Sequence, residues 1–321
     1  MSTELAFPKL GIELHLNRLA FSIGPFSVYW YGIIVVTGIM LGYFYASKRC
    51  NEFGLKKDSL TDYLLLGVVG GIFGARLYYV AFKWDYYSQH LNELFAIWKG
   101  GIAIYGGIIG ALIVILLVSH HKKENPLNVT DCCVGGLILG QAIGRWGNFM
   151  NIEAFGCNTD SIFGMTSPAI TSYLTNHMAE LAQDGIIVDP MAPVHPTFFY
   201  ESMWNLAAFI IIVLLTKKRS YKGEMTLLYL SLYGAGRSWI EGLRTDSLMW
   251  GSFRVSQVLA IILTVVSVVL LFYMKNKAKK GELKPYFLLD PPIDESKKAE
   301  EAPTNEEAEV KEEASEDKKE E

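Results

Sequence analysis

The sequence predicts an all-α integral membrane protein with about seven transmembrane helices. Of its 321 residues, 51% are hydrophobic, and the mean hydropathy is +0.24. Long uncharged stretches recur, since residues 19–47 and 100–119 contain no Asp, Glu, Lys, Arg or His. A helix of roughly 20 apolar residues crosses a bilayer, so both stretches are long enough to span it. The chain is too apolar for an ordinary soluble domain.

Seven segments meet this length requirement. They are residues 19–47, 61–83, 100–119, 131–150, 197–216, 225–241 and 255–274. The first segment has too little basic character before it to be a cleaved signal peptide, so we expect it to remain in the protein. No internal repeat suggests an inverted-topology transporter.

The distribution of basic residues predicts the orientation of the chain. Four connecting segments are rich in Lys and Arg, namely 47–57, 120–126, 217–222 and 275–284. By the positive-inside rule these segments should face the cytoplasm. The segment 151–196 contains no Lys or Arg and should form a small outward cap. The amino terminus is therefore expected outside and the carboxyl terminus in the cytoplasm.

The end of the chain has a different composition from the rest. From residue 290 onward there are 14 Asp and Glu and five Lys, a net charge of −9, whereas the preceding 289 residues carry 24 Lys and Arg and 19 Asp and Glu, a net charge of +5. So few large apolar side chains cannot bury a core. We therefore expect a membrane domain at 1–285 and an acidic, disordered cytoplasmic tail at 286–321.

The sequence offers no sign of a metal centre or a built-in nucleophile. Cys50, Cys132, Cys133 and Cys157 show no CxxC spacing and no His/Cys cluster. No acidic cluster of the magnesium-binding kind and no Ser–His–Asp pattern stands out. We expect no cofactor, no metal and no nucleic-acid partner, and any reacting nucleophile should come from a substrate.

Charged residues inside spans are costly and usually functional, and here they recur near the outer ends of two spans. Arg145 and Asn148 lie late in the fourth span, three residues apart and so on one helical face. Late in the sixth span lie Arg237, Glu241 and Arg244, spaced four and three residues apart, and this spacing again predicts one helical face. Both spans run outward, so the two constellations should meet at one depth.

Other polar residues are expected in the same outer layer. Tyr31 and Tyr105 sit near the outer ends of the first and third spans, and Glu201 lies just inside the fifth. Interfacial tyrosines usually belong to an aromatic belt, and a lone arginine such as Arg76 usually snorkels to the headgroups. The simple interpretation suffices for Arg76, whereas the two constellations together indicate a site.

The chemistry of arginine indicates what this site binds. Its planar guanidinium matches phosphate oxygens and stays charged, so two arginines at the outer edge of a bilayer predict a phospholipid headgroup. A lipid-modifying enzyme, a phospholipid transporter or scramblase, and a membrane scaffold remain open at this point. A transporter should carry polar residues through to the inner leaflet, where this chain is mostly apolar apart from Asp131. A scaffold does not explain the arginines.

Five motifs resemble one family. The segment GRWGNFMNIEAFG, residues 144–156, resembles the signature of the prolipoprotein diacylglyceryl transferases, and YWYG, GGIAIYGGIIG, HPTFFYE and YGAGRSWIEGLRTD resemble further family elements in the same order. The resemblance covers residues 20–275. It implies seven spans with an outward amino terminus in the bacterial inner membrane, and an active site near the outer leaflet.

The resemblance also implies a reaction. Members of the family transfer the diacylglyceryl group of phosphatidylglycerol to the lipobox cysteine of a prolipoprotein signal peptide, without a metal or cofactor. This forms a thioether and releases glycerol phosphate, as the first step of lipoprotein maturation. Arg145 would hold the lipid phosphate, and Arg237 would be the second residue directed at it. The residues expected to shape the pocket, orient these arginines or bind substrate are Asn148, Gly156, Tyr31, Glu153, Glu201, Glu241 and Arg244.

One position departs from part of the family. Many members carry a histidine, proposed as a general base, where this chain has Tyr105. Tyrosine, with an ordinary pKa of about 10, is a poor base at neutral pH. We therefore expect Tyr105 to hydrogen-bond lipid at the site, and we hypothesise that its hydroxyl is dispensable for the reaction.

Overall fold

The computed structural model describes residues 2–251 and 253–283. The expected disorder of the acidic tail at 286–321 falls outside these residues. The described chain forms nine α-helices and six short strands. The helices are α1 (Trp30–Arg49), α2 (Lys57–Phe82), α3 (Trp84–Tyr87), α4 (Ile104–Lys122), α5 (Pro126–Asn151), α6 (Pro168–Gln183), α7 (Thr197–Thr216), α8 (Glu224–Leu243) and α9 (Val255–Lys279).

The prediction of a helical, polytopic membrane protein is confirmed. Within the described residues, six helical segments are long and apolar enough to cross a membrane, and they comprise α1, α2, α4, α5, α7 and α9. The sixth predicted span, 225–241, is also a helix, α8, but it carries Arg237 and Glu241 and is not one of the six. A span count of seven therefore stays a prediction.

The first predicted span begins later than its uncharged sequence indicated. Residues 19–29 form an antiparallel hairpin of β3 (Leu19–Ile23) and β4 (Phe26–Tyr29), and α1 starts only at Trp30. Ile23 pairs with Phe26, so Gly24 and Pro25 make the two-residue turn, with Gly24 at φ +58°. A Gly–Pro pair is a turn signal, and it overrides the apolar character of the stretch.

Close backbone approach fixes how the long helices pair. α1 packs mainly on α5, α2 on α4, α8 on α9, and α7 on α5. A Cβ added to Gly42 of α1 would lie 2.5 Å from the carbonyl oxygen of Gly136 in α5, so only glycine allows this contact. Small residues of this kind let membrane helices approach closely. The α1–α5 contact holds the end of α5, where Arg145 lies, at a fixed place in the bundle.

A cap covers the end of the bundle at which α5 finishes and α7 begins. Its core gathers Leu5, Met165, Ile170, Leu174 and Val194, all nearly inaccessible to solvent. The sequence predicted only residues 151–196 in this cap. The amino-terminal hairpin of β1 (Ser2–Phe7) and β2 (Ile12–Asn17) also packs into it.

Arg76 has a different environment from the one expected for a snorkelling arginine. Its residue exposure is only 3%, and its guanidinium donates hydrogen bonds to four backbone carbonyls, those of Glu93, Leu94, Gly100 and Gly101. The side chain therefore closes the loop that follows α3, because buried donors need partners within the protein. The expectation of a membrane anchor at this position was wrong.

The opposite end of the bundle carries the short basic connections. There, buried Asp131 of α5 accepts hydrogen bonds from the backbone N–H groups of Gly223 and Thr226, both at 2.8 Å. These N–H groups belong to the start of α8, where a helix lacks internal partners for its donors. Asp131 thus caps α8, and its carboxylate is used within the fold.

Candidate functional site

Glu201 joins the two predicted arginine constellations. Its Oε1 accepts from Arg145 Nη2 at 2.5 Å, and its Oε2 accepts from Arg237 Nη1 at 3.2 Å. The Glu201 side chain is 4% exposed, whereas those of Arg145 and Arg237 are 22% and 18% exposed. One buried carboxylate therefore holds two partly accessible guanidinium groups side by side.

Each of these side chains is placed by a helix end. Arg145 lies on the last two turns of α5, Glu201 on the first turns of α7, and Arg237 on the last two turns of α8. Because α5 and α8 run in the direction opposite to α7, their last turns meet its first. Glu241, one turn beyond Arg237 in α8, pairs with Nη2 of Arg237 at 2.6 Å, as the four-residue spacing predicts.

Asn148 and Glu153 extend the cluster beyond α5. The Asn148 amide Oδ1 accepts from Arg145 at 3.1 Å, and its Nδ2 donates to Glu153 Oε1 at 2.9 Å. Glu153 lies between Ile152 and Ala154, which have φ values of +51° and +56°. Non-glycine residues rarely adopt this left-handed conformation, and it persists where surrounding contacts enforce it. The turn bends the chain back, so that Glu153 faces the end of its own helix.

Gly156 lies where three segments of the chain are in close backbone contact. Its N–H donates to the His195 carbonyl at 2.9 Å, and the next N–H, of Cys157, donates to Leu243 at 2.7 Å. A Cβ on Gly156 would lie 2.7 Å from the Cβ of His195 and 2.8 Å from the carbonyl oxygen of Leu243. The glycine therefore permits the contact that connects the α5 exit, the α7 entry and the end of α8.

Arg244 lies outside the ion-pair cluster. The spacing from Arg237 and Glu241 predicted a shared helical face, but α8 ends at Leu243 and Arg244 has an extended backbone. Its guanidinium instead forms two hydrogen bonds with Asp246, at 2.8 and 2.7 Å. Burial would raise the pKa of the Asp246 carboxyl, but the hydrogen bond and charge of Arg244 outweigh it and hold that pKa below its usual range.

The two predicted tyrosines have separate surroundings. The Tyr31 ring packs across Gly147 of α5, where an added Cβ would be 2.8 Å from a ring carbon. The Tyr105 hydroxyl lies 3.2 Å from the hydroxyl of Ser256, at the start of α9. Tyr31 therefore adjoins the turn of α5 that carries Asn148, while Tyr105 links α4 to α9.

A cavity of about 900 Å³ opens beside the cluster, beneath the cap. Tyr31 and Glu153 line it, together with Arg18, Tyr173 and Asp246. Arg145, Asn148, Glu201, Arg237 and Glu241 are not among its lining residues. Glu153 therefore connects the ion-pair cluster to the cavity. It accepts a hydrogen bond from Asn148 of the cluster, and it also lines the cavity.

Several residues near the site were not among those predicted from the sequence. Arg18 donates to the Asn151 carbonyl at 2.5 Å and closes one side of the cavity. His195 precedes α7 within the motif HPTFFYE, its Nδ1 lies 3.3 Å from the Tyr200 hydroxyl, and burial lowers its pKa. Only the motifs offered a signal for His195 and Asp246, which lie in HPTFFYE and YGAGRSWIEGLRTD, and none marked Arg18 or Ser256. Among the described residues, no three His, Cys, Asp or Glu side chains are grouped as metal ligands would be.

Comparisons with known proteins agree on one family. Residues 18–273 match the family model described as prolipoprotein diacylglyceryl transferase. The chain is 41% identical over 268 residues to a protein of Streptococcus equi subsp. zooepidemicus (strain MGCS10565), covering 83% of this chain and 97% of that one. It is 42% identical to a protein of Limosilactobacillus reuteri (strain DSM 20016) over 83% of this chain and 94% of that one. The corresponding values for Listeria monocytogenes serotype 4b (strain CLIP80459) are 40%, 86% and 94%. All three are named phosphatidylglycerol–prolipoprotein diacylglyceryl transferase.

Proposed function

The chain belongs to the prolipoprotein diacylglyceryl transferase family, and from this premise we propose that its arginine pair binds the phosphate of phosphatidylglycerol and drives diacylglyceryl transfer. The relatives are named as enzymes that use phosphatidylglycerol and prolipoproteins. The observation that carries the assignment of residues is the shared Glu201 carboxylate, which holds Arg145 and Arg237 together at one bundle end.

The ion pairs leave donors for a phosphate. Each guanidinium has five N–H donors in a fixed fork, and the contacts of Arg145 and Arg237 with Asn148, Glu201 and Glu241 use only part of them. Both side chains keep about a fifth of their surface accessible. Glu201 and Glu241 therefore fix the direction of the forks, while the remaining donors face a ligand. Asn148 and Glu153 extend this group of polar side chains.

The reaction places negative charge where these donors lie. The acceptor sulfur forms a bond to the glyceryl carbon, and the bond from that carbon to the phosphate oxygen breaks, so glycerol phosphate leaves with the electron pair. Preorganised positive charge stabilises the developing phosphate dianion more than the bound diester. The same positive field favours the acceptor thiolate, because a nearby opposite charge lowers a thiol pKa. This assigns electrostatic catalysis to Arg145 and Arg237.

The proposed setting is the outer half of a bacterial plasma membrane. The basic connections should face the cytoplasm, and the cap, with the amino terminus, should face outward. The site then meets both substrates, because phosphatidylglycerol lies in the bilayer and the lipobox cysteine of a translocating signal peptide reaches the outer surface. A transporter should carry polar residues through to the inner leaflet, and Asp131, which the sequence offered there, instead caps α8.

The test is thioether formation by the purified protein in proteoliposomes. Phosphatidylglycerol and a synthetic lipobox peptide are supplied, and mass spectrometry follows the peptide. Wild type should add a diacylglyceryl group, and Arg145→Ala should slow this by about 100- to 1,000-fold. Labelled lipid that crosses the bilayer without any peptide modification would favour a transporter. An unaffected Arg145→Ala rate would remove the phosphate assignment.

A further inference from the structure

The cavity under the cap meets β4 along its edge. Ser27, Val28 and Tyr29 all line it, and they are consecutive residues of one strand. Successive side chains of a strand point to opposite faces. Three consecutive lining residues therefore mean that the cavity runs beside the backbone of β4 rather than over one of its faces.

That edge of β4 is unpaired. In the part of the chain that the structure describes, the hairpin is a two-stranded sheet in which β4 pairs with β3 alone. Within residues 2–251 and 253–283, no backbone hydrogen bond joins Phe26–Tyr29 to any other segment. An unpaired strand edge presents a row of N–H and C=O groups that accepts another extended chain.

The remaining lining of this channel combines polar and apolar groups. Its polar residues include Arg18, Asn151 and Glu153, which form a chain of hydrogen bonds, from Arg18 to the Asn151 carbonyl and from the Asn151 amide to Glu153. Tyr173 and Ala169 of the cap helix α6 also line it. The channel also reaches Tyr31 and Glu153, and Glu153 is hydrogen-bonded to Asn148, which contacts Arg145, so the channel adjoins the arginine cluster. The acyl chains of a lipid belong in the bilayer, whereas this channel lies beneath the cap.

We propose that β4 is the docking edge for the acceptor polypeptide, which adds a third strand to the β3–β4 sheet with the residues that follow its acceptor cysteine. This rests on the proposed function, because it supplies the acceptor subsite of the same reaction. The acceptor's hydrophobic segment lies in the membrane and its chain continues outward, so the residues after the cysteine must leave through the cap side. Backbone pairing suits this role, since it recognises an extended chain with little demand on side-chain identity.

Acceptor peptides of different lengths test the proposal. One lipobox peptide ends at the cysteine as a carboxamide, and a second continues for four residues. With wild-type protein in proteoliposomes, the longer peptide should have a KM lower by about tenfold, as expected for roughly two net backbone hydrogen bonds. Equal KM values would overturn the docking edge. Absence of modification of both peptides would instead count against the proposed function.

Backbone methylation of the longer peptide distinguishes strand pairing from a simple effect of peptide length. In a paired strand, the N–H groups of alternate residues face the partner. N-methylation at successive positions after the cysteine should therefore raise KM at every second position and leave the intervening ones nearly unchanged. A uniform response would contradict strand pairing.

A cavity-filling variant tests the location on the protein side. Ala169→Phe places a ring in the channel, and Ala179→Phe, on an exposed part of the same helix, is the matched control. Ala169→Phe should remove the advantage of the longer peptide without changing KM for the short peptide or for phosphatidylglycerol. Activity on the short peptide also reports that the variant is folded. A raised KM for phosphatidylglycerol with an unchanged length effect would assign the cavity to the lipid headgroup and overturn the proposal.

Discussion

Arg145 Nη2 lies 2.5 Å from Oε1 of Glu201, across 56 positions of sequence. The same carboxylate is only 4% exposed and also receives Arg237. Two guanidinium groups that contact the same carboxylate repel each other unless that anion compensates their charge. Glu201 is therefore the residue on which the mutual position of the two arginines depends.

Replacing Glu201 should damage both stability and activity. In Glu201→Gln the side chain keeps its shape but loses its charge, which leaves two partly buried guanidinium groups beside each other. Removing one partner of a buried ion pair costs about 3–5 kcal/mol, and the partial exposure of both arginines reduces this to about 2–3 kcal/mol. Thermal unfolding in detergent measures the loss, and thioether formation should fall with it. Full stability of Glu201→Gln would show that the arginines are held by other contacts.

The contact at Gly156 gives a prediction with an internal control. Gly156→Ala places a methyl group against His195 and Leu243, so it should destabilise the protein by about 1–3 kcal/mol. Gly144→Ala, within the same motif, meets nothing within 4 Å and lies in the interior of α5. It should stabilise the helix by about 0.5–1 kcal/mol. Opposite shifts of Tm for the two variants are expected, and shifts of the same sign would contradict the packing at Gly156.

Helical periodicity accounts for the residues that sequence placed correctly. Arg145 with Asn148, and Arg237 with Glu241, needed only spacings of three and four to predict shared faces, and both pairs are in contact. Arg244 followed the same spacing but lies past the last residue of α8. The end of a helix depends on its tertiary contacts, so spacing alone could not exclude Arg244.

Other features depend on contacts between distant segments. The carbonyls around Arg76 lie 17 to 25 positions away in a loop. No local sequence pattern predicts such a cage, in which backbone carbonyls surround a guanidinium group. The bridging role of Glu201 was likewise hidden, because only the packing of α7 against α5 and α8 brings its carboxylate between two arginines. The hairpin at 19–29 was recognisable from Gly24 and Pro25, but continuous apolar composition favoured a helix.

Loss of the Arg76 cage should open the loop after α3. Arg76→Ala removes the donors to four carbonyls, so their buried acceptors lose their partners. Limited proteolysis of the detergent-solubilised protein should then cut within residues 88–103 much faster than in wild type. Lys83→Ala removes an exposed basic side chain nearby and should leave the rate unchanged. Equal cleavage of all three proteins would mean that the loop is held without Arg76.

The stability of the cap should decrease on mild acidification because of His195. Burial lowers the pKa of this imidazole, so the folded protein binds fewer protons than the unfolded chain around the ordinary histidine pKa of about 6.5. Stability then rises with pH through this window and is lost as pH falls below it. Tm measured between pH 7.5 and 5.5 should fall less in His195→Gln than in wild type. Asp246→Asn is the control, because the depressed pKa of Asp246 confines its contribution to more acidic solutions. Parallel curves for wild type and His195→Gln would refute the assignment.

The tyrosine at position 105 gives the most direct test of how the acceptor thiol is activated. Its hydroxyl lies 3.2 Å from that of Ser256, and this hydrogen bond joins α4 to α9. If the hydroxyl serves packing alone, Tyr105→Phe should transfer the diacylglyceryl group at a rate close to wild type. Ser256→Ala removes the same hydrogen bond from the other partner, and its transfer rate should equal that of Tyr105→Phe.

The comparison of these two variants separates structure from chemistry. A similar, small decrease in Tm for both, with unchanged thioether formation, would leave activation of the thiol to the positive field of Arg145 and Arg237. A large loss of activity in Tyr105→Phe alone would instead place the phenol at the reacting groups. The pH dependence of thioether formation in Tyr105→Phe then decides whether it moves a proton, because loss of a proton-transfer group changes the profile and loss of a packing contact does not.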